Sequence, residues 1–469
     1  MGLTRALGPL DAAAVIISNV IGVGIFTVPG IVAQMVPHPL LMLAVWLAGG
    51  LLAFAGANAY AELAARRPRA GGEYVYLREG FGPLAAFLTG WTSFVAGFSG
   101  AIAAGAVGFA EYLGRHVPAA ANATPFVSLP LYVITLEVSP RALVALVVLG
   151  VISAVHIRGL GPGRYLQNTL TALKLLALLG LIGFGFALGT GSWGNLAAVA
   201  SPTRPRPEVS GWLLALIPVM FTYSGWNAAA YLAEEVREPG RNVPRALALG
   251  TAAVVALYLL LNVLYLYALP GEQLAGTIRA GDTAAEALFG ARGAQLLAPL
   301  ILVGLAGSIS AMILAGPRVY FAMARDGLFP GAAARVHARF HTPAAAIAAQ
   351  TLWSAVLVLT GTFEQLLLYT GFAVVLFSGL AVLALFVIRR GEFIQPEDSH
   401  RRRKAAPTDD ATPFRCWGYP VAPAIFVLAS LAMCVNAIQR DPRPSLAGLA
   451  VMAAGLPVYW WFRRKQQSG

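Results

Sequence analysis

Charge is what this chain has least of. Asp, Glu, Lys and Arg make up 12% of its 469 residues, about half the share of a soluble domain. Hydrophobic residues make up 58%, and the mean hydropathy is +0.70. A water-soluble fold of this composition would expose far too much apolar surface, so the chain is an integral membrane protein. Cysteine is nearly absent: Cys416 and Cys434 form no metal or disulfide pattern. The histidines are scattered without HExxH spacing, and no GxxxxGKS or GxxxxGKT phosphate loop is present. Nothing therefore suggests an ATP-driven motor, a metal site or a cofactor. No triad and no paired intramembrane carboxylates set up an enzyme. The net charge of +12 would suit a nucleic-acid partner, but the basic residues lie mostly between apolar runs. Membrane topology accounts for them better, and no nucleic acid is expected.

Apolar runs are what the chain has in abundance. A span takes about 20 residues. On that rule the sequence predicts an all-α membrane protein with twelve helices, over 10–36, 40–65, 82–113, 141–157, 165–189, 209–235, 244–270, 284–325, 344–361, 364–389, 420–437 and 444–462. The first run lacks a small-residue cleavage site and is expected to be a helix rather than a signal peptide. The eighth is long, and its cytoplasmic end is expected to project from the bilayer. With the N-terminus in the cytoplasm, 24 of the 33 Lys and Arg fall inside, 8 outside, and Lys174 within a span. That bias predicts two cytoplasmic termini, in a plasma or inner membrane. The run Arg401-Arg402-Arg403-Lys404 reads as a topology anchor, with contact to anionic lipid as the second reading.

Two runs are broken in matching places. One reads Ser18-Asn19-Val20-Ile21-Gly22-Val23-Gly24-Ile25-Phe26, the other Phe221-Thr222-Tyr223-Ser224-Gly225-Trp226-Asn227. Helices one to five and six to ten each begin with such a break, which suggests a five-plus-five inverted repeat over 1–390. A basic loop over 391–419 and two further helices over 420–469 would follow. Irregular backbone at membrane depth is tolerated only where it is buried in protein or lines a cavity, and matched breaks point to a transporter's binding site. An unwound Gly22-Val23-Gly24 would leave free N–H groups at the start of the next half-helix, which favour a carboxylate. The preceding half-helix ends in free carbonyls, which favour a cation. Tyr223-Ser224-Gly225 offers the same, with Pro218 weakening that helix further. Close helix packing is the other use of Gly-x-Gly. The second break favours the binding site.

Lys174 sits alone among apolar residues. A charge at that depth costs at least ~2.5 kcal/mol and needs partners. Carbonyls of the first break, near Gly22, and Ser308 on the eighth helix are the candidate acceptors. Snorkelling to an interface is the alternative.

These residues also resemble a family. Gly22-Val23-Gly24-Ile25-Phe26 with Pro29-Gly30 is similar to the first-helix signature of the amino acid–polyamine–organocation (APC) transporters. So are Tyr60-Ala61-Glu62-Leu63 with Pro68, Ala70-Gly71-Gly72-Glu73-Tyr74-Val75-Tyr76, Gly82-Pro83, Phe87 and Gly90-Trp91. The second break, with Glu234-Glu235, Pro239, Arg241-Asn242 and Pro244, resembles the sixth helix of the L-type amino acid transporter branch. Arg318-Val319-Tyr320 with Met323-Ala324-Arg325-Asp326-Gly327-Leu328-Phe329-Pro330 resembles the end of the eighth.

The resemblance implies that the N–H groups of Val23 and Gly24 hold a substrate carboxylate. Carbonyls of Val20, Phe221 and Ser224 would hold its ammonium group, with Phe221 as an outer gate. Ile21, Gly22, Ile25, Gly225, Trp226 and Asn227 complete the candidate substrate site. Lys174 would stand in for a sodium ion, with Ser308 beside it. A static bridge and a proton carrier both remain open for that lysine. The family often has Ser or Thr where this chain has Val23, so one hydroxyl contact is missing. Animal L-type transporters are joined to a heavy chain through a cysteine between helices three and four. Residues 114–140 contain none, so no disulfide-linked heavy chain is expected.

No acidic side chain is expected to face the breaks, and Asp11 and Glu62 near helix ends read as solvated or interfacial. The expected function is therefore sodium-independent transport of neutral L-amino acids by alternating access, by exchange or proton coupling. A carrier of a cationic amino acid, polyamine or ethanolamine is the alternative. A receptor that binds amino acids without moving them is another.

Overall fold

The computed structural model describes residues 2–131, 134–197, 209–295, 297–394, 414–440 and 442–467. The basic run at 401–404, with most of the expected basic loop, lies outside them.

Helix follows helix, because lipid obliges each segment to pair its own backbone polar groups. α1 (Pro9–Val20) and α2 (Gly24–Met35) form the first broken segment, and α3 (Pro39–Arg66) runs back beside it. A short α4 (Glu73–Phe81) follows. Then α5 (Pro83–Thr92) and α6 (Phe98–Leu113) are joined through a π-helical turn, Ser93–Gly97. An antiparallel hairpin, Val127–Pro130 against Thr135–Val138, leads into α7 (Pro140–Ile157) and α8 (Leu160–Leu188). After the single turn α9 (Gly194–Ala197), the second broken segment comprises α10 (Val209–Thr222) and α11 (Ala228–Tyr231). Next come α12 (Pro239–Ala268), α13 (Gly271–Leu274), α14 (Ala280–Gln295), α15 (Leu297–Arg325), α16 (Ala344–Thr360) and α17 (Phe363–Ile394). Helices Val421–Arg440, Pro442–Ala453 and Gly455–Gln467 end the described chain. Proline stands in the first turn of α1, α3, α5, α7 and α12, where its missing N–H would have had no helical partner.

Among the described residues, nine helices are long and apolar enough to cross a membrane, and ten if the bent pair α1–α2 counts as one. Gly211–Thr222 and Ala344–Thr360 are apolar but shorter. The expected eighth helix needs correction. The run is kinked at Gly290 (φ 73°), and its apolar span is Pro299–Arg325. The residues before the kink belong to α14, which packs against α2. They thus lie at the opposite end of the bundle from the expected projection.

α1 lies among α12, α8 and α15, while α10 packs against α2 and α3. The two breaks are brought together at the centre of the bundle by these contacts. One end of the bundle carries most of the described arginines, and Arg66, Arg78, Arg318, Arg325 and Arg389 are all ion-paired there.

Candidate functional site

Both predicted breaks are real interruptions. α1 and α2 meet at a bend of 49°, and α10 stops at Thr222, five residues before α11 begins. Gly24 faces Thr222 so closely that a Cβ on Gly24 would lie 3.0 Å from its side chain. The broken helices therefore touch at their unwound points.

Helix ends leave backbone groups to be satisfied, and at both breaks some of them stay unpaired. Among the described residues, the N–H groups of Gly22, Val23 and Gly24 have no acceptor, and the carbonyl of Ser224 has no donor. The Ser18, Val20 and Ile21 carbonyls of the first break are already engaged. Lys174 donates from Nζ to the Ser18 carbonyl at 3.0 Å and the Ile21 carbonyl at 2.6 Å, with the Ser308 hydroxyl at 3.0 Å. Ser308 Oγ lies 3.0 and 2.8 Å from the same two carbonyls. Lys174 is 2% exposed, so it does not snorkel. Its acceptors are those expected from the depth of its charge. Beside it a cavity of about 30 Å³, between α2, α8 and α15, has room for a water molecule or two rather than a substrate.

Tyr258 on α12 was not anticipated from the sequence. Its hydroxyl lies 2.8 Å from the Val20 carbonyl and 3.2 Å from the Thr222 carbonyl, so one donor bridges both breaks. A tyrosine within an apolar run gives no one-dimensional hint of this reach. Val20 and Phe221 keep spare acceptor capacity, since a carbonyl has two lone pairs. One of Phe221's is used by the Ser224 N–H at 3.0 Å.

The named site residues differ in access. Val23 is 36% exposed, and Gly22, Gly24, Phe221, Ser224 and Gly225 are accessible or half-buried. Val20, Ile21 and Ile25 are buried, and contribute backbone or packing. Trp226 is buried with its ring edge-on to Tyr60 and Phe426. Asn227 turns its amide towards Glu73, at 2.7 Å.

Beneath the breaks, towards the arginine-rich end, ion pairs and hydrogen bonds link the helices. Arg318 grips Glu235 through Nε at 2.8 Å and Nη2 at 2.9 Å, and both side chains are buried. Arg78 and Tyr74 on α4 both donate to Asp326, at 2.6 and 2.8 Å. Burial and the Asp326 carboxylate push the Tyr74 phenol above its ordinary value, so it stays a donor. Two acid assignments change. Glu62 is not solvated: it is 0% exposed and accepts from Arg66, Arg389 and the Cys416 N–H. An acid does reach the second break, because Glu73 binds Asn227 from below.

Gly225 is a site position with little freedom to change. Its φ is +102°, and a Cβ there would lie 2.7 Å from the Asn19 side chain. Gly225→Ala is expected to lower stability by about 1–3 kcal/mol through backbone strain. Gly211→Ala, with nothing within 4 Å, should be neutral or mildly stabilising. Thermal unfolding of the purified proteins compares the two, and equal melting temperatures would contradict the strained turn.

The profile of a family described as amino acid permease matches residues 7–462. The serine/threonine exchanger SteT of Bacillus subtilis (strain 168) is 27% identical over 471 aligned residues, covering 100% of this chain and 99% of that protein. The large neutral amino acids transporter small subunit 2 of Homo sapiens is 28% identical, covering 98% of this chain and 81% of that protein. The cystine/glutamate transporter of Homo sapiens is also 28% identical, over 98% of this chain and 85% of its own length. A profile match over nearly the whole length, on a helical membrane chain, makes this protein a member of the amino acid permease family within the APC superfamily.

Proposed function

We propose that the protein is a sodium-independent exchanger of small to medium neutral L-amino acids, working by alternating access. One observation carries this reading: the break with unpaired N–H groups at Gly22, Val23 and Gly24 meets, at Gly24 and Thr222, the break that carries the unpaired Ser224 carbonyl. An α-amino acid presents a carboxylate and an ammonium group close together, and the two breaks offer one partner for each. The accessible residues carry no charge, so nothing there selects a charged side chain. Glu73, the nearest carboxylate, is occupied by donors, which disfavours cationic amino acids, polyamines and ethanolamine. Lys174 is occupied by backbone, which disfavours an acidic side chain. Its ammonium takes carbonyls that a sodium ion would otherwise coordinate, which supports independence from sodium. The exchange named for SteT favours exchange here.

In the same reading, α10 with its continuation and α16 bring the spans to twelve, in a five-plus-five inverted repeat. The arginine-rich end faces the cytoplasm of a plasma or inner membrane, with both termini. The protein acts without a disulfide-linked heavy chain.

Proteoliposomes test this directly. Uptake of a labelled neutral amino acid should require unlabelled neutral amino acid inside and be unchanged when sodium is replaced by choline. Uptake into empty vesicles driven by an inward proton gradient would mean symport instead. Binding without uptake would favour a receptor. Val23→Ser supplies the hydroxyl that the family often has, and is expected to lower KM by about tenfold, the scale of one hydrogen bond to a charged group. An unchanged KM would remove Val23 from the carboxylate site.

A further inference from the structure

Glu73 is the first residue of α4, outside every span, yet its carboxylate sits under the second break. Three donors converge on its Oε1. The Tyr60 hydroxyl of α3 donates at 2.6 Å, the Asn227 amide at 2.7 Å and the Ser378 hydroxyl of α17 at 3.4 Å. A single oxygen thus fastens four elements together. The segment before it is docked on the same part of the molecule: the Gly71 N–H donates to the Tyr231 carbonyl at 3.2 Å, and the Ala70 N–H to Glu234 Oε2 at 3.0 Å. Around it, Tyr60 lies edge-on to Tyr76 at 5.5 Å and to Trp226 at 4.8 Å, and all three rings are buried. The breaks above are accessible, while the rings of Tyr60, Tyr76 and Trp226 below them are buried.

We propose that Glu73 is the positioning residue that holds the second break shut towards the cytoplasm. Asn227 ends that break, so α11 cannot part from α3, α4 and α17 while its amide is bound to Glu73. Opening on the cytoplasmic side then requires these bonds to be released together. Three donors on one carboxylate oxygen make a strong tie, because bonds that share one buried atom act as a network rather than singly. The carboxylate is consumed in this role and contacts no substrate. The proposal rests on reading the chain as an alternating-access carrier.

A reporter cysteine, Ser224→Cys, in sealed vesicles of known orientation tests the proposal. A membrane-impermeant thiol reagent is added to one face at a time, with no amino acid present. The chain without the reporter sets the background, since Cys416 and Cys434 are buried. The reporter alone should label mainly from the outer face. Adding Glu73→Ala or Glu73→Gln is expected to raise labelling from the cytoplasmic face by about tenfold, and Glu73→Asp should recover most of the closure. Tyr60→Phe removes one donor and leaves the carboxylate, and should give a smaller rise in the same direction. Unchanged cytoplasmic labelling in Glu73→Gln and Tyr60→Phe would overturn the proposal. So would an equal rise from both faces, which signifies a loosened fold. A protein that moves no amino acid, yet whose labelling responds to Glu73 as described, would sink the carrier reading and leave this closure standing.

Discussion

Lys174→Ala is expected to reduce amino acid uptake by about 100-fold while the protein still inserts and folds. The magnitude follows from what the ammonium holds. Its Nζ donates to the carbonyls of Ser18 and Ile21, the last turn before the first break. Ser308 offers one hydroxyl proton to the same two carbonyls, so it cannot replace both bonds. Without the lysine a buried carbonyl at the break loses its donor, at about 1–3 kcal/mol. The upper part of that range corresponds to about 100-fold in the population of the ordered break. The N–H groups of Val23 and Gly24 would no longer be held at fixed points. Lys174→Met fills most of the same volume without donating, and should fail like the alanine variant. Ser308→Ala leaves the ammonium in place and should lose far less. Uptake in proteoliposomes, beside melting temperatures of all three variants, checks this. Normal uptake by Lys174→Ala would remove the lysine from the mechanism.

That prediction was legible in the sequence because an ammonium at mid-span has few acceptors, and an unwound helix end supplies them. The breaks were legible for a similar reason: Gly and polar residues in an apolar run are costly in lipid unless they serve a cavity. Other parts depend on tertiary geometry. Glu73 follows two glycines at the start of a short helix, where an acid is ordinary; only the folding of α4 beneath Asn227 makes it an acceptor for three elements. Glu62 stands near a helix end and reads as solvated, but Arg389, more than three hundred residues away, folds over it. The kink at Gly290 inside α14 left a weak signal. Gly290 and the charge of Arg292 interrupt the run at 284–325, yet the apolar residues on both sides outweighed them in a length-based count of spans.

Breaking the Arg318–Glu235 pair should have the largest effect on stability. Arg318 is 1% exposed and Glu235 0%. The guanidinium spends Nε and Nη2 on the two carboxylate oxygens and Nη1 on the Leu314 carbonyl. The backbone carbonyl of Glu235 meanwhile accepts the N–H groups of Ala6 and Leu7, at 2.9 and 3.0 Å. Glu235 therefore joins α15 to the strand-like segment ahead of α1. Removing one charge leaves the other buried without a partner, which costs about 3–5 kcal/mol. Arg318→Met and Glu235→Leu should each lower the melting temperature strongly. The double variant replaces the pair by apolar groups and should recover much of the loss, because two desolvation penalties vanish together. The transport readout separates stability from gating. If the pair also keeps the cytoplasmic side closed, the double variant will be stable yet show a raised rate of cytoplasmic labelling at the Ser224→Cys reporter. If it is only a structural clasp, the double variant will match the parent in both measurements. Additive losses in the double variant would mean that the two side chains do not act as a pair at all.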